Sequence, residues 1–250
     1  MNYRHIFHAG NFADVFKHWI LTLLLEKLCE KPTPFCVIDT HAGLGIYDLK
    51  HANAQKTQEY KTGFLLLQDQ NPAPEFKVYF DIINEFKTSM DVYPGSPAII
   101  QTFLRANDRL WCAELHPEDF KVLEDYFHGD PRVKVLHQNG YQTIKGVLPP
   151  PQGRGLIFVD PPFEVTNEFS QIINALQAGL KRFAHGIYAI WYPIKDKDSL
   201  QKFYRDLKDF SVKEILIVEL HANTAISNQL GSCGMVVLNP PWQLDRKSTR

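Results

Sequence analysis

The sequence predicts an α/β protein with a seven-stranded mixed sheet, helices on both faces and a small helical insertion. Three observations carry this expectation. Short runs of apolar and β-favouring residues alternate with longer amphipathic stretches over most of the 250 residues, the rhythm of a sheet wound through crossover helices. Several of these runs stop at an acidic or Asn-Gly tip, the strand end at which open sheets place their chemistry. The last two runs have no helical stretch between them, so they pair antiparallel and make the sheet mixed. A hydrophobic content of 44% suits one domain over residues 1–250, interrupted by an insertion at 48–92.

The chain opens on a polar and aromatic stretch that includes Tyr3 and Arg4, ahead of a helix running to about Cys29. Asn11 is placed to cap it, with Asp14 three residues on at the positive end of the dipole. Val15, Phe16, Trp19, Ile20, Leu23, Leu24 and Leu28 form its apolar stripe. That spacing leaves Lys17 and His18 near one edge, as solvated or rim residues. Pro32 and Pro34 break the chain, and residues 35–39 read as a first buried strand ending in Asp39. The following loop, with His41, Gly43 and Gly45, has the pattern D-x-x-x-G-x-G. It lacks a third glycine, so it reads as a structural turn or as a loop against a nucleoside without phosphates. In residues 48–92 the strand and helix rhythm fails, leaving helical pieces near 64–67 and 78–86; the segment is either substrate-recognition apparatus or decoration.

Order returns where Ser96 is placed to cap a helix over 97–105, with Pro97 at its first position. Residues 110–114 form a second strand ending in Glu114, whose carboxylate can accept both hydroxyls of a ribose. A helix over 118–127 and a third strand over 133–137 follow. Asn139 and Gly140 then make a turn, or the Asn139 side chain reads an adenine edge. The fourth strand, 155–159, runs into Asp160-Pro161-Pro162-Phe163. An exocyclic amine has two N–H donors, which the Asp160 carboxylate and the Pro161 carbonyl can accept while the ring stacks on Phe163. A helix over 167–183, a fifth strand over 186–192, a helix over 199–210 and strands over 214–221 and 234–238 complete the chain.

Four cysteines without C-x-x-C spacing read as reduced core residues. The first residues lack the design of a secretory signal, and no apolar run approaches the roughly 20 residues of a membrane span. A cytoplasmic protein with no membrane contact is expected. The ten histidines form no H-E-x-x-H or Cys/His cluster, so no metal is expected. With a formal charge of −1, nucleic acid has to be held by a local basic patch.

Taken together, the acidic strand end, glycine turn, second acidic strand end, Asn-Gly turn and Asp-Pro-Pro-Phe resemble the class I S-adenosylmethionine-dependent methyltransferases, whose fold is Rossmann-like. Asp-Pro-Pro followed by Tyr or Phe is the pattern of their amino-group enzymes. With the opening from Asn2 to His18, the loop from Asp39 to Gly45 and Tyr93-Pro-Gly-Ser-Pro97, the chain resembles specifically the bacterial RlmJ type. That family methylates N6 of an adenine in 23S ribosomal RNA. The resemblance implies S-adenosyl-L-methionine as cofactor, contacted by His18, His41, Gly43, Ser96, Glu114, Asn139, Gly140 and Asp160. It implies Asp160 as the catalytic acid, with Pro161 and Phe163 beside it, and Tyr3, Arg4, Lys17 and Phe163 near the substrate. It also implies a monomer acting on ribosomal RNA free of most ribosomal proteins. Two positions depart from the family pattern: Asn139 stands where Asp is usual, which weakens an adenine N6 contact, and Phe163 where Tyr is usual, which keeps the stacking face. A DNA adenine or cytosine amino-methyltransferase, or a non-catalytic nucleic-acid-binding protein of the same fold, are the alternatives.

Overall fold

In a computed structural model, residues 4–67, 70–90, 92–222, 230–242 and 244 are described. The sheet is built from β1 (Cys36–Asp39), β4 (Arg109–Glu114), β5 (Val133–His137), β6 (Gly155–Val159), β7 (Ile187–Pro193), β8 (Ile215–His221) and β9 (Ser232–Leu238). They pair in the order β5-β4-β1-β6-β7-β9-β8. The pairs from β5 through β7 are parallel, and β9 is antiparallel to both β7 and β8. From central β1 the chain winds outward to β4 and β5 on one side and to β6 and β7 on the other. A crevice therefore opens at the carboxyl end of β1, where open sheets bind ligands.

Alternation along the strands feeds two cores. Val37, Leu110, Leu156 and Phe158 point to the face covered by α1 (Phe12–Cys29), α3 (Lys77–Met90), α4 (Ser96–Phe103) and α5 (Pro117–Tyr126). Ile38, Ile157, Val159 and Ile190 point to the face covered by α6 (Gly140–Val147), α7 (Glu168–Arg182) and α8 (Lys197–Lys208). β6 is buried along its whole length, as its unbroken Gly-Leu-Ile-Phe-Val requires of a strand with helices on both faces.

Helix α1 is capped as expected, the Asn11 side chain accepting from the Asp14 N–H at 2.9 Å. The rim placement of Lys17 and His18 is overturned: they are 4% and 2% exposed. The helix packs against α4, β9 and α3 at once, so almost every side of it is interior and no polar edge remains. Lys17 and His18, like Asp14 and Thr22 on the same helix, must then find partners inside.

The short antiparallel pair β2 (Ile46–Tyr47) and β3 (Tyr93–Pro94) closes the base of residues 48–92. This segment holds α2 (Ala52–Thr57), three 3-10 turns (Glu59–Thr62, Phe64–Leu67, Pro74–Phe76) and α3. Phe64, Tyr79 and Ile83 join the core beneath α1, and Phe76 stacks on Trp19 at 4.2 Å. The two pieces read from the sequence are the turn at 64–67 and most of α3.

Two local readings are corrected. The cap of α4 is Gly95, not Ser96, which is already helical. Ser96 turns its hydroxyl to the Asp39 carboxyl instead, and the Gly95 N–H is taken by the Gly45 carbonyl at 2.8 Å. Asn139 and Gly140 do not form an isolated turn but start helix α6, which the two glycines in Gly-Tyr-Gln-Thr-Ile-Lys-Gly-Val disguise. Gly140 is needed there: a Cβ would lie 2.0 Å from the Thr40 carbonyl oxygen. Among the described residues no helix is long and apolar enough to cross a membrane.

Candidate functional site

A cleft of about 830 Å³ lies over the carboxyl ends of β5, β4, β1 and β6 and reaches the start of the chain. Lys17, His18, His41, Gly43, Ser96, Glu114, Asn139, Gly140, Asp160 and Pro161 all line it. Residues spread over 145 positions of sequence thus meet in one place, because each strand tip opens onto the same crevice.

At the β6 end, Asp160 is only 11% exposed at its side chain. Its Oδ2 is 2.5 Å from the Nζ of Lys17, which lies 2.7 Å from Asp14 Oδ1. Asp14 Oδ2 is 2.8 Å from His5 Nε2 and accepts the Gly10 N–H at 2.8 Å. Burial alone would raise the Asp14 carboxyl, but the charges of His5 and Lys17 and the His5 hydrogen bond hold it well below the usual range. Asp14, Lys17 and Asp160 thus form an interior chain of alternating charge, with the tip of β6 as its last member. The Lys17 ammonium also sits 5.6 Å over the ring of Trp191, which lines the cleft from β7.

Asp39, fully buried at the end of β1, has one carboxyl oxygen without a hydrogen-bond partner among the described residues. Burial pushes its carboxyl up to about 7; the Ser96 hydroxyl opposes this, and the negative charge of Asp160 adds to it. A carboxyl raised in the folded state favours folding while protonated, and that contribution is lost as pH rises from about 4 towards 7. Asp39→Asn is therefore expected to flatten the fall of stability over this window. The effect is of order 4 kcal/mol for a three-unit shift, of which about 2 to 3 kcal/mol falls between pH 5 and pH 8, read from melting temperatures at those two pH values. An unchanged slope would mean that Asp39 stays ionised.

The other end of the cleft suits a nucleoside. Gly43 holds φ at +61°, a conformation that favours glycine, and its N–H donates to Glu114 Oε2 at 2.8 Å. Glu114 Oε1 accepts the His116 N–H at 2.7 Å. Each carboxylate oxygen keeps a further lone pair for a ribose hydroxyl. Burial raises the Glu114 carboxyl, while the N–H groups of His116 and Gly43 hold it down. His41 is neutral, burial pushing it down to about 3. Thr40 Oγ1 donates to the Phe158 carbonyl at 3.0 Å, so it accepts from His41 Nδ1 at 2.8 Å. That assigns the proton to Nδ1 and leaves Nε2 an acceptor. His18 is likewise pushed down to about 3 by burial, with Nδ1 2.9 Å from the Tyr93 hydroxyl.

Seven carboxylates line the cleft against two lysines, Lys17 and Lys195, and Lys17 is already paired with two acids. Such a lining opposes phosphate groups and favours a nucleoside carrying positive charge. The residues present fit S-adenosylmethionine, whose sulfonium and ammonium are cationic and whose ribose lacks phosphates. Glu114→Ala is expected to weaken binding of this nucleoside by about 2 to 4 kcal/mol, the sum of two hydrogen bonds to a charged acceptor. Calorimetry checks this, and unchanged affinity would remove Glu114 from the ribose.

Three expectations fare differently. Phe163 does not line the cleft, although Pro161, Pro162, Glu164 and Val165 do. At φ +50° its backbone turns the ring against Phe169 and Trp191, with centroids 5.1 and 5.8 Å away. Both contacts are edge-to-face, at 68° and 77°, and Trp191, not Phe163, lines the cleft. Arg4 also lies off the cleft, its guanidinium 2.9 Å from Glu118 and 2.7 Å from Asp119 on α5. Tyr3 lies outside the described residues. A second tetrapeptide of the same kind, Asn239-Pro240-Pro241-Trp242, follows β9. Because β9 runs backwards, it sits at the opposite end of the sheet, where Asn239 donates to the carbonyls of Ala184 and Gly186. Sequence reasoning passed over His5, Asp14 as a partner of Lys17, and Trp191; only the closeness of His5 and Asp14 to the cap of α1 hinted at them.

Comparison with known proteins agrees with this geometry. A family model described as "Ribosomal RNA large subunit methyltransferase D, RlmJ" matches residues 32–250. An Escherichia coli protein named ribosomal RNA large subunit methyltransferase J is 40% identical over 252 residues, covering 99% of this chain and 90% of its own. A Haemophilus influenzae protein of the same name is 41% identical, with 98% and 89% covered. A crystal structure of a Legionella pneumophila protein, 39% identical, superposes with a TM-score of 0.86 over 94% of this chain and 88% of that one. With a sheet, a cleft and a strand-tip acid of this kind, and with relatives matched along nearly its whole length, the chain belongs to the RlmJ family of ribosomal RNA large subunit methyltransferases.

Proposed function

We propose that this protein methylates N6 of an adenine in 23S ribosomal RNA, with S-adenosyl-L-methionine as methyl donor. The observation that carries the reading is the acidic, phosphate-averse cleft ending at Asp160 and Pro161. When bound, the cofactor supplies an electrophilic methyl group on a sulfonium. Gly43, Glu114, His18, His41, Ser96, Asn139 and Gly140 hold it, and Asp160 and Pro161 receive the amine.

The nitrogen of an adenine amine is a weak nucleophile because its lone pair is delocalised into the ring. Asp160 has one oxygen committed to Lys17, so the other is left to accept an N–H of the amine while the Pro161 carbonyl accepts the second. Two acceptors in fixed positions turn the amine and aim its lone pair along the cleft. After transfer the nitrogen is cationic and strongly acidic, so Asp160 or a water beside it takes the proton. Lys17, 2.5 Å from Asp160, holds the carboxyl in place and is a positioning residue. The RNA backbone stays at the mouth, since seven carboxylates repel it, and only a base flipped out of its helix enters.

The remaining parts of the reading are one domain with residues 48–92 as a helical insertion, a monomer, and action in the cytoplasm on RNA largely free of ribosomal proteins. Single-turnover assays on protein-free 23S transcript, assembled large subunits and duplex DNA, with mass spectrometry of the product nucleosides, test it. N6-methyladenine formed on the transcript alone is the expected result. Methylation of the DNA alone, or of no substrate, would overturn it.

A further inference from the structure

Asn139 joins β5 to α6 and lines the cleft. Its Oδ1 accepts the N–H of Tyr141 at 2.9 Å and that of Gln142 at 3.3 Å. A carbonyl oxygen has two lone pairs, and here the helix takes both. The cap also fixes which way the amide faces: turned over, its NH₂ would meet two backbone donors. Nδ2 therefore points away from the helix, and it has no hydrogen-bond partner among the described residues.

The sheet order places this donor relative to the chemistry. Asp160 follows β6, Glu114 ends β4 and Asn139 follows β5, with β1 between the first two. Three strand spacings, about 14 Å, separate the ends of this row. A nucleoside with its ribose at Glu114 and its reactive side at Asp160 extends its base to Asn139. On a purine the exocyclic amine offers only donors, because its lone pair is delocalised, whereas the ring nitrogens beside it accept. Nδ2 opposite the amine would set donor against donor.

We infer that Asn139 reads the purine of the cofactor as a hydrogen-bond donor to a ring nitrogen, and that the cofactor's 6-amino group adds nothing to affinity in this chain. The inference rests on the proposed reading that the cleft takes S-adenosylmethionine. Aspartate at this position would keep the cap with one oxygen and offer the other to the amine, so Asn139→Asp should reverse the preference without disturbing α6.

Calorimetry with S-adenosylhomocysteine and with its analogue bearing hydrogen in place of the 6-amino group tests this on both proteins. The wild-type protein should bind the two within about twofold, and Asn139→Asp should prefer the amine by about tenfold or more, as expected for a hydrogen bond to a charged acceptor. Of the analogues with carbon replacing ring nitrogen 1 or 7, one should lose about tenfold on the wild-type protein only. A structural role in the cap would move the melting temperature and leave these ratios alone. If S-adenosylhomocysteine binds and the ratios are the same in both proteins, or neither ring nitrogen matters, the inference fails by itself. If S-adenosylhomocysteine does not bind, the reading of the cleft fails and takes the inference with it.

Discussion

Asp160→Ala is expected to lower methyl transfer by at least about 10³-fold while the melting temperature holds or rises slightly. The loss follows from removing the acceptor that orients the amine, and deleting one such preorganised group costs about 10²–10³ in other active sites. Here the same group also stands to take the proton released after transfer. The stability half comes from the neighbours. Without Asp160, Lys17 still has Asp14 at 2.7 Å, so no buried cation is orphaned. The Asp39 carboxyl, raised by burial and further by the charge of Asp160, is relieved of a like charge. Binding of S-adenosylmethionine should stay within about tenfold, because the acid acts mainly on the amine. Single-turnover kinetics beside thermal unfolding and calorimetry check all three parts. Turnover near the parent rate would remove Asp160 from the mechanism.

The sheet was legible because its signals are local. Each buried strand is a run of four to seven residues, and the acids Asp39, Glu114 and Asp160 mark the carboxyl tips of β1, β4 and β6 within the run itself. The antiparallel end of the sheet was legible for the same reason, since the sequence between its last two strand runs carries no helical periodicity. Helix α6 was not, because two glycines and a β-branched pair make its eight residues look like a turn. The partners of Lys17 were not legible either. Periodicity says which side of α1 a residue occupies, but not that this helix is enclosed on nearly every side, nor that Asp160 arrives from 143 positions away. Phe163 failed through its backbone: the motif names the ring, and a φ of +50° decides where the ring goes. The second Asn-Pro-Pro-Trp tetrapeptide makes the converse point, since a similar string at the wrong end of a strand builds only a turn.

Lys17→Met should be the most destabilising change in the site, by about 3 to 5 kcal/mol at pH 8, the usual cost of stripping one partner from a buried ion pair. Methionine fills most of the volume of the lysine stem, so the cost is electrical and not that of a cavity. What remains is an interior cluster of carboxylates: Asp14, with His5 still 2.8 Å away, Asp160, and the already raised Asp39. The charge of Lys17 is among those that hold Asp14 low and oppose the rise at Asp39, so its removal raises both. A carboxyl raised in the folded state keeps its stabilising proton at low pH and loses that contribution as pH climbs through its folded value. The variant should therefore lie closest to the parent below about pH 4, where the carboxyls are protonated in both, and fall away from it as pH rises from there to pH 8. Methyl transfer per folded molecule should drop as well, because Asp160 loses the contact that frees one defined oxygen for the amine. Thermal unfolding of parent and variant across this range, with single-turnover methylation at pH 8, separates the effects. An equal loss of stability at both ends of the range would mean that Lys17 acts through packing and not through charge.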